Sequence, residues 1–385
     1  MNQQTIFDVL YPKFKINKPI RLIELFSGYG SQALALKYLG VNFEHWKICE
    51  WAVKSIQAYK DIHFENDTND YSRDLEIGQI KEFLFNKGIS SNYNEPMNMN
   101  QINRLNEKQV RTIYNNIQAT HNLVNIQQVK GKDLEIKNTN IYIYICTYSF
   151  PCQDLSLAGK GKGMSDTSTR SGLLWEVERI LSELEEKPQI LLMENVPQVH
   201  SQDNIEDFKK WILRLEELGY SNYFEDLIAT DYGIPQTRNR CFMISLLGEY
   251  SYTFPSKQEL KLKLKDMLED QVAEKYYLSE KMIQGMINTK FHQYQLENRL
   301  QDTGGSIDTL TTSTGGRCPH CIEDIPNLKI KNATSKGYLE ATEGDGIDIS
   351  SRMEHHRGTV QKQKSQTITT AGGENVGVIV SDRQR

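Results

Sequence analysis

Three residue types, met in one order along the chain, could carry chemistry: a thiol at Cys152, a carboxylate at Glu194 and two guanidiniums at Arg238 and Arg240. Cys152 follows the run I-Y-I-Y-I-C-T-Y-S-F-P, whose alternating Ile and Tyr read as a buried strand. Pro151 cannot donate to a sheet ladder, so the strand should stop there and leave Cys152 on a loop past its carboxyl end. In open α/β sheets that edge is where ligands bind. Behind it, A-G-K-G-K-G-M at 158–164 makes a glycine and lysine loop suited to closing over an anion, phosphate first. A free cysteine is most often a small buried hydrophobe, and it is the partners that set Cys152 apart. Glu194 ends the apolar run Q-I-L-L-M just as Cys152 ends its own strand, and a carboxylate so placed needs work or a partner. Arg238 and Arg240 alternate at the start of a strand over 241–247, where period 2 puts both on one face. A pair of this kind holds a carbonyl or a phosphate bidentately, although standing alone it would read as two solvated arginines on a strand edge.

The elements that must position these groups follow a βα rhythm. Residues 22–26 read as a strand, 27–30 (S-G-Y-G) as a tight turn and 31–39 as a helix stopped by Gly40. Strand, glycine turn and helix open a doubly wound nucleotide-binding sheet, with backbone able to approach a ligand at Gly28 and Gly30. Position 33 is Ala, so the full G-x-G-x-x-G is absent and a ligand smaller than a dinucleotide is favoured. A second strand over 43–49 ends at Glu50-Trp51, an acid suited to ribose hydroxyls beside a ring suited to an adenine face. The polar stretch 65–120, with helical patterning near 76–86 and 104–118, reads as an insertion outside the sheet. Residues 121–126 are expected to end a third strand, with Asn125 meeting the adenine amino group. Helices are expected over 169–184, on a Leu173, Leu174, Val177, Ile180, Leu181, Leu184 stripe, and over 204–218.

The chain of 385 residues can bury a large core and hold two domains, a boundary falling near Phe254-Pro255. After it the βα rhythm gives way to glycines, Ser/Thr clusters and an echo, I-D-T-L-T-T-S-T-G-G at 307–316 and S-Q-T-I-T-T-A-G-G at 365–373. The net charge of −5 does not advertise a nucleic-acid binder, although a local basic patch binds DNA despite an acidic total. There is no run of 18 apolar residues and no basic-then-apolar leader, so a chain with no membrane span, in the cytoplasm, is expected. Six scattered Cys suit a reducing compartment. C-P-H-C at 318–321 has metal-ligand spacing but no second pair, so no resident metal is expected.

F-S-G-Y-G, S-F-P-C-Q-D-L-S, M-E-N-V and Q-T-R-N-R, in that order over residues 20–250, resemble the DNA (cytosine-5)-methyltransferases, and the wording of T-R-S-G-L-L-W-E is similar to bacterial and phage members of restriction–modification type. The resemblance implies an α/β fold: a doubly wound, Rossmann-like S-adenosylmethionine-dependent methyltransferase sheet in 1–254, plus a smaller, irregular β-rich target-recognition domain in 255–385. It implies S-adenosyl-L-methionine held by Phe26, Gly28, Gly30, Glu50, Trp51, Asn125 and Pro151, with Asn125 standing where the family usually has Asp. It implies Cys152 as nucleophile, Glu194 as acid and Arg238 and Arg240 as substrate holders, with Gln153, Ser156, Lys160, Lys162 and Gln236 on the DNA. The partners implied are double-stranded DNA and a cognate restriction endonuclease, for a monomeric enzyme.

One departure concerns the last residues. The chain stops at V-G-V-I-V-S-D-R-Q-R with no R-x-L-T-P-R-E-type stretch and no G-N-S-V, so the two final blocks of the family are expected to be missing. The competing expectation is therefore a truncated phage or prophage remnant that binds DNA without methylating it. An RNA cytosine methyltransferase is less favoured, since Cys146 lies buried in its strand and offers no second working thiol. The missing third glycine disfavours a nicotinamide oxidoreductase.

Overall fold

The structure, a computed structural model, describes residues 12–151, 171–269, 273 and short stretches between 300 and 378. The chain divides into two compact units, Met1–Leu227 with Asn239–Pro255, and Ile228–Arg238 with Ser256–Arg385. The change of character after Pro255 is thus accompanied by a second, internal excursion, 228–238, that groups with the later residues.

The first unit is built on a sheet of β1 (Ile20–Leu25), β2 (Phe43–Cys49), β3 (Ile143–Tyr148), β4 (Ile190–Asn195), β5 (Tyr220–Ile228) and β6 (Asn239–Leu247), in the spatial order β2-β1-β3-β4-β6-β5. β1 pairs in parallel with β2 and β3, β3 in parallel with β4, and β6 runs antiparallel to β4. The carboxyl ends of β1 to β4 therefore share one edge of the sheet. Because β6 is reversed, its amino end, beginning Asn239-Arg240-Cys241, lies on that same edge.

Period 2 sorts the strand residues between two layers. Ile143 and Ile145 of β3 join Leu22 and Leu246 in an apolar layer that includes Ala33 and Leu36 of α1 (Ser31–Tyr38). Tyr144, Cys146 and Tyr148 point the other way, into the larger layer built on α6 (Leu174–Ser182) and α7 (Ile205–Glu217). Helices on both faces are what a doubly wound sheet requires. The expected stripe on α6 is buried at Leu174, Val177, Ile180 and Leu181, and Trp211 and Leu215 carry α7 into the same layer.

Between β2 and β3 come α2 (Val53–His63), α3 (Ile77–Lys87), α4 (Met99–Asn103) and α5 (Glu107–Ala119). Ile80, Leu84, Ile102, Val110, Ile113 and Ile117 form a separate apolar cluster, joined by Ile56 of α2. The insertion thus has an apolar cluster of its own, which Ile56 of α2, Val124 and Trp51 join from outside it. The patterning finds α3 and α5 but not α4, a helix too short to show a period; its start is set by Asn98, whose side chain accepts from Gln101 N. The third strand expected over 121–126 is reduced to a single parallel bridge, Ile48 with Asn122.

Described strands of the second unit are short, including β7 (Leu300–Asp302) with β8 (His320–Ile322), β9 (Leu328–Lys331) with β10 (Tyr338–Ala341), and β11 (Gly346–Asp348) between β12 (Thr359–Gln361) and β13 (Val376–Val378). Both Thr-rich echoes lie outside the described residues apart from Ile307, which bridges Gln236. Among the described residues no helix is long and apolar enough to cross a membrane.

Candidate active site

Two groups of residues gather at the shared edge. The first lies beyond β1 and β2. Phe26 and Gly28 take φ values of 57° and 54°, a left-handed turn that folds the chain back over the sheet edge. Gly28 N donates to Glu50 Oε2 at 2.9 Å and Ala52 N to Glu50 Oε1 at 2.7 Å, so the glycine turn and the start of α2 are tied to one carboxylate. Burial pushes the Glu50 carboxyl up, while bonds from the Ala52, Gly28 and Trp51 backbone act in the opposite direction.

The two glycines of the turn are not equivalent. A Cβ at Gly28 would meet open space, whereas one at Gly30 would run into the rings of His63 and Tyr59. Gly28 therefore faces space left open by the described residues, and Gly30 serves close packing of α1 on α2. The Ser27 hydroxyl is buried with no hydrogen-bond partner among the described residues, at the same turn. An open glycine, a hydroxyl with no partner among the described residues and a carboxylate with acceptor capacity left thus meet at this strand end.

Asn122 is the residue that sequence reading missed here. Its Oδ1 accepts from Glu50 N at 3.0 Å and from Val124 N at 2.9 Å, and its Nδ2 donates to the Glu50 carbonyl at 2.9 Å. Only 6 % exposed, it holds the strand end that a continuous third strand would otherwise have held. Asn125, the position expected against adenine, is buried nearby and spends Oδ1 on Gln127 N at 3.1 Å. Both are asparagines near a strand end, so spacing cannot rank them; the distinguishing signal is contact with Glu50. Trp51 is half-buried, with its ring on the apolar cluster of the insertion and its carbonyl accepting from Ser90 N at 2.7 Å.

The second group lies where β3, β4 and β6 end. β4 runs on through Glu194 and Asn195, two residues beyond the run read as a strand from the sequence. Glu194 stands opposite Phe242, on the face away from α7, and Arg240 Nε reaches its Oε1 at 3.1 Å; both side chains are 18 % exposed. Asn195, on the other face and buried, donates from Nδ2 to the Phe150 carbonyl at 3.0 Å and accepts at Oδ1 from Val196 N at 2.8 Å. This crosslink fixes the chain immediately before the half-buried Pro151 against the end of β4.

Other expected residues fall elsewhere. β6 begins at Asn239, so Arg238 precedes the strand; its carbonyl accepts from Ala229 N at 2.9 Å, and it groups with the second unit while Arg240 belongs to the first. Of the two arginines expected at the entrance of this strand, Arg240 lies inside it and Arg238 just before it. Gln236 pairs through its backbone with Ile307, flanked by Thr237 N to Ile307 O and Ile307 N to Pro235 O, each 2.8 Å. Cys152, Gln153, Ser156, Lys160 and Lys162 lie outside the described residues, as does the glycine and lysine loop. Of the described thiols, Cys49, Cys146 and Cys241 are buried, and desolvation pushes Cys146 and Cys241 up to about 12. None of these three is suited to act as a nucleophile.

The sheet, with a buried glutamate tied to a glycine turn at one strand end and a glutamate–arginine pair at another, is of the doubly wound α/β class. A profile of C-5 cytosine-specific DNA methylases matches residues 92–376, and the chain belongs to that family of DNA (cytosine-5-)-methyltransferases. It is 36 % identical over 268 residues to type II methyltransferase M2.ScrFI of Lactococcus lactis subsp. cremoris, covering 69 % of this chain and 71 % of the relative. It is 35 % identical over 333 residues to orphan methyltransferase M.SssI of Spiroplasma monobiae, covering 82 % and 85 % respectively. A solved structure, the Entamoeba histolytica methyltransferase EhMeth, is similar at a TM-score of 0.48 and 18 % identity, covering 76 % of this chain and 70 % of that one.

Proposed function

We propose that this protein methylates C5 of cytosine at a specific double-stranded DNA sequence, with Cys152 as the nucleophile. The observation that supports this best is the Asn195–Phe150 crosslink, which holds the segment leading into Cys152 beside Glu194 and its partner Arg240.

C5 of cytosine is too weak a nucleophile to take a methyl group unaided. Addition of the Cys152 thiolate at C6 moves electron density to C5, and Glu194, held by Arg240, meets N3 and stabilises the adduct. S-adenosylmethionine, when bound, supplies the methyl group. The residues that fit it are Ser27, Gly28, Glu50 and Trp51, with Asn122 holding Glu50 in place. Loss of the C5 proton and departure of Cys152 then restore the aromatic ring. None of these steps can occur on a stacked base, so the cytosine must be turned out of the duplex. Lys160 and Lys162 are assigned to closing on the phosphates, Gln153, Ser156 and Gln236 to the DNA beside the base, and Arg238 to the substrate. Residues 255–385 are assigned to reading the sequence. The relatives are named as type II in one case and orphan in the other, so a cognate endonuclease belongs to the proposal as a partner to be sought in the neighbouring genes.

The test is transfer of labelled methyl from S-adenosylmethionine to DNA, followed by bisulfite mapping of the product. Incorporation at cytosines within one short sequence, abolished by Cys152→Ser and reduced by at least about a hundredfold by Glu194→Gln, is expected. Folded protein that leaves DNA unlabelled, or Cys152→Ser that labels it as well as the parent, rejects the reading.

A further inference from the structure

On the α7 side of the sheet, opposite the face that carries Glu194 and Arg240, three ligand-type side chains converge from three separate elements. His200 ends the turn that follows β4, Asp226 lies near the carboxyl end of β5, and Cys241 lies near the amino end of β6. Their donor atoms, an imidazole nitrogen, a carboxylate oxygen and a sulfur, all lie within 4.8 Å of one another. We propose that His200, Asp226 and Cys241 form a binding site for a divalent ion of the zinc type.

The bland reading is a surface His–Asp pair beside a structural cysteine. His200 Nε2 lies 2.8 Å from Asp226 Oδ1 and the Cys241 thiol also hydrogen-bonds Asp226, so the three groups are paired without a metal. What exceeds that reading is the donor set and its mounting. Sulfur, nitrogen and oxygen together suit a borderline ion and not a hard one such as magnesium. The imidazole is walled by Phe208 and Phe224, with ring centroids 5.9 and 5.6 Å away, so its direction is fixed by packing. The thiol lies underneath, fully buried, while His200 and Asp226 keep 26 % and 33 % of their side chains exposed. An ion can therefore enter from solvent and find its third ligand already in place.

Bonds of about 2.0 to 2.3 Å in a tetrahedral site put neighbouring ligand atoms roughly 3.3 to 3.8 Å apart. The 2.8 Å His200–Asp226 pair must open slightly and the longer separations, up to 4.8 Å, must close, and Asp226, the more exposed of the two surface ligands, is the side chain that moves. With three protein ligands, the fourth position falls to water. Among the described residues no other group of three His, Cys, Asp or Glu is so disposed. This departs from the expectation of no metal, because the three residues are spread over 42 positions of sequence and form no spacing motif.

Cobalt(II) is the probe, added to the untagged full-length chain carrying Cys318→Ser and Cys321→Ser, so that C-P-H-C contributes no thiol. One equivalent should bind and give a sulfur-to-cobalt charge-transfer band in the near ultraviolet. Cys241→Ser should abolish the band, and His200→Ala and Asp226→Asn, both at partly exposed positions, should each weaken binding at least tenfold in protein with parental circular dichroism. The absence of any band in the parent, a band that persists in Cys241→Ser, or affinity unchanged by both surface substitutions overturns the proposal. Should Cys241→Ser fail to fold, the two surface variants decide the matter alone.

Discussion

Glycines two positions apart in one turn do different jobs, and substitution separates them. Ala at position 28 adds a methyl to open space and suffers only the left-handed φ of 54°, a cost of roughly 1–2 kcal/mol. Gly28→Ala should therefore stay folded in urea titrations while losing at least tenfold in S-adenosylmethionine affinity by calorimetry. Ala at position 30 collides with Tyr59 and His63 at a φ of 82°. Gly30→Ala should lose about 3 kcal/mol or fail to accumulate as soluble protein. At this scale the sequence was informative about residue type and less so about partner. Glu50, Glu194 and the turn glycines were recognisable from position after a strand. Asn122 and the Glu194–Arg240 pair are not legible there, because contact between distant segments leaves no local spacing to read.

The elements show where periodicity suffices. β2 occupies the stretch expected of it, and the Ile/Tyr alternation of β3 reflects a strand with a different apolar layer on each face. The third strand failed because the backbone bonds it would have made to the end of β2 are taken by the Asn122 side chain. Where β3 and β4 end, the crosslink from Asn195 makes a matching prediction. Asn195→Ala leaves the Phe150 carbonyl and Val196 N unsatisfied in a buried setting, at a cost of about 2 kcal/mol in urea unfolding. Because the Pro151 segment loses its anchor, kcat should fall more than tenfold with KM for S-adenosylmethionine little changed. Asn195→Asp, which keeps the acceptor for Val196 N but not the donor to Phe150, should lose methyl transfer to a similar degree.

The stability of the whole molecule should carry the mark of one polar chain buried beneath α1. Ala33 N donates to Glu24 Oε1 at 3.2 Å, Tyr59 Oη donates to Glu24 Oε2 at 2.5 Å, and His45 Nδ1 lies 3.0 Å from Tyr59 Oη. Burial raises the Glu24 carboxyl from 4.5 to about 7, and burial with the charges of His63 and Lys37 lowers His45 from 6.5 to about 3. Between 4.5 and about 7 the native protein holds the Glu24 proton that the unfolded chain has lost, so this group makes stability fall as pH rises. Between 6.5 and about 3 the unfolded chain holds the His45 proton that the native protein refuses, so this group makes stability fall as pH drops. The two oppose each other where the windows overlap. Unfolding midpoints measured from about pH 4.5 to 6.5 should show Glu24→Gln with a more positive slope than the parent and His45→Gln with a more negative one, each by up to about 1.4 kcal/mol per pH unit. Parallel profiles for all three proteins would reject this account.

Residues 228–238 leave and rejoin the sheet between two of its neighbouring strands, yet group with the residues after Pro255 and pair through Gln236 with Ile307. On the proposed assignment of the residues after Pro255 to reading the DNA sequence, a chimaera meant to borrow another member's preference must be spliced at three seams, before 228, after 238 and after 255. Transplanting the tail alone would strand an orphaned hairpin whose stitching partner has been exchanged for a stranger's.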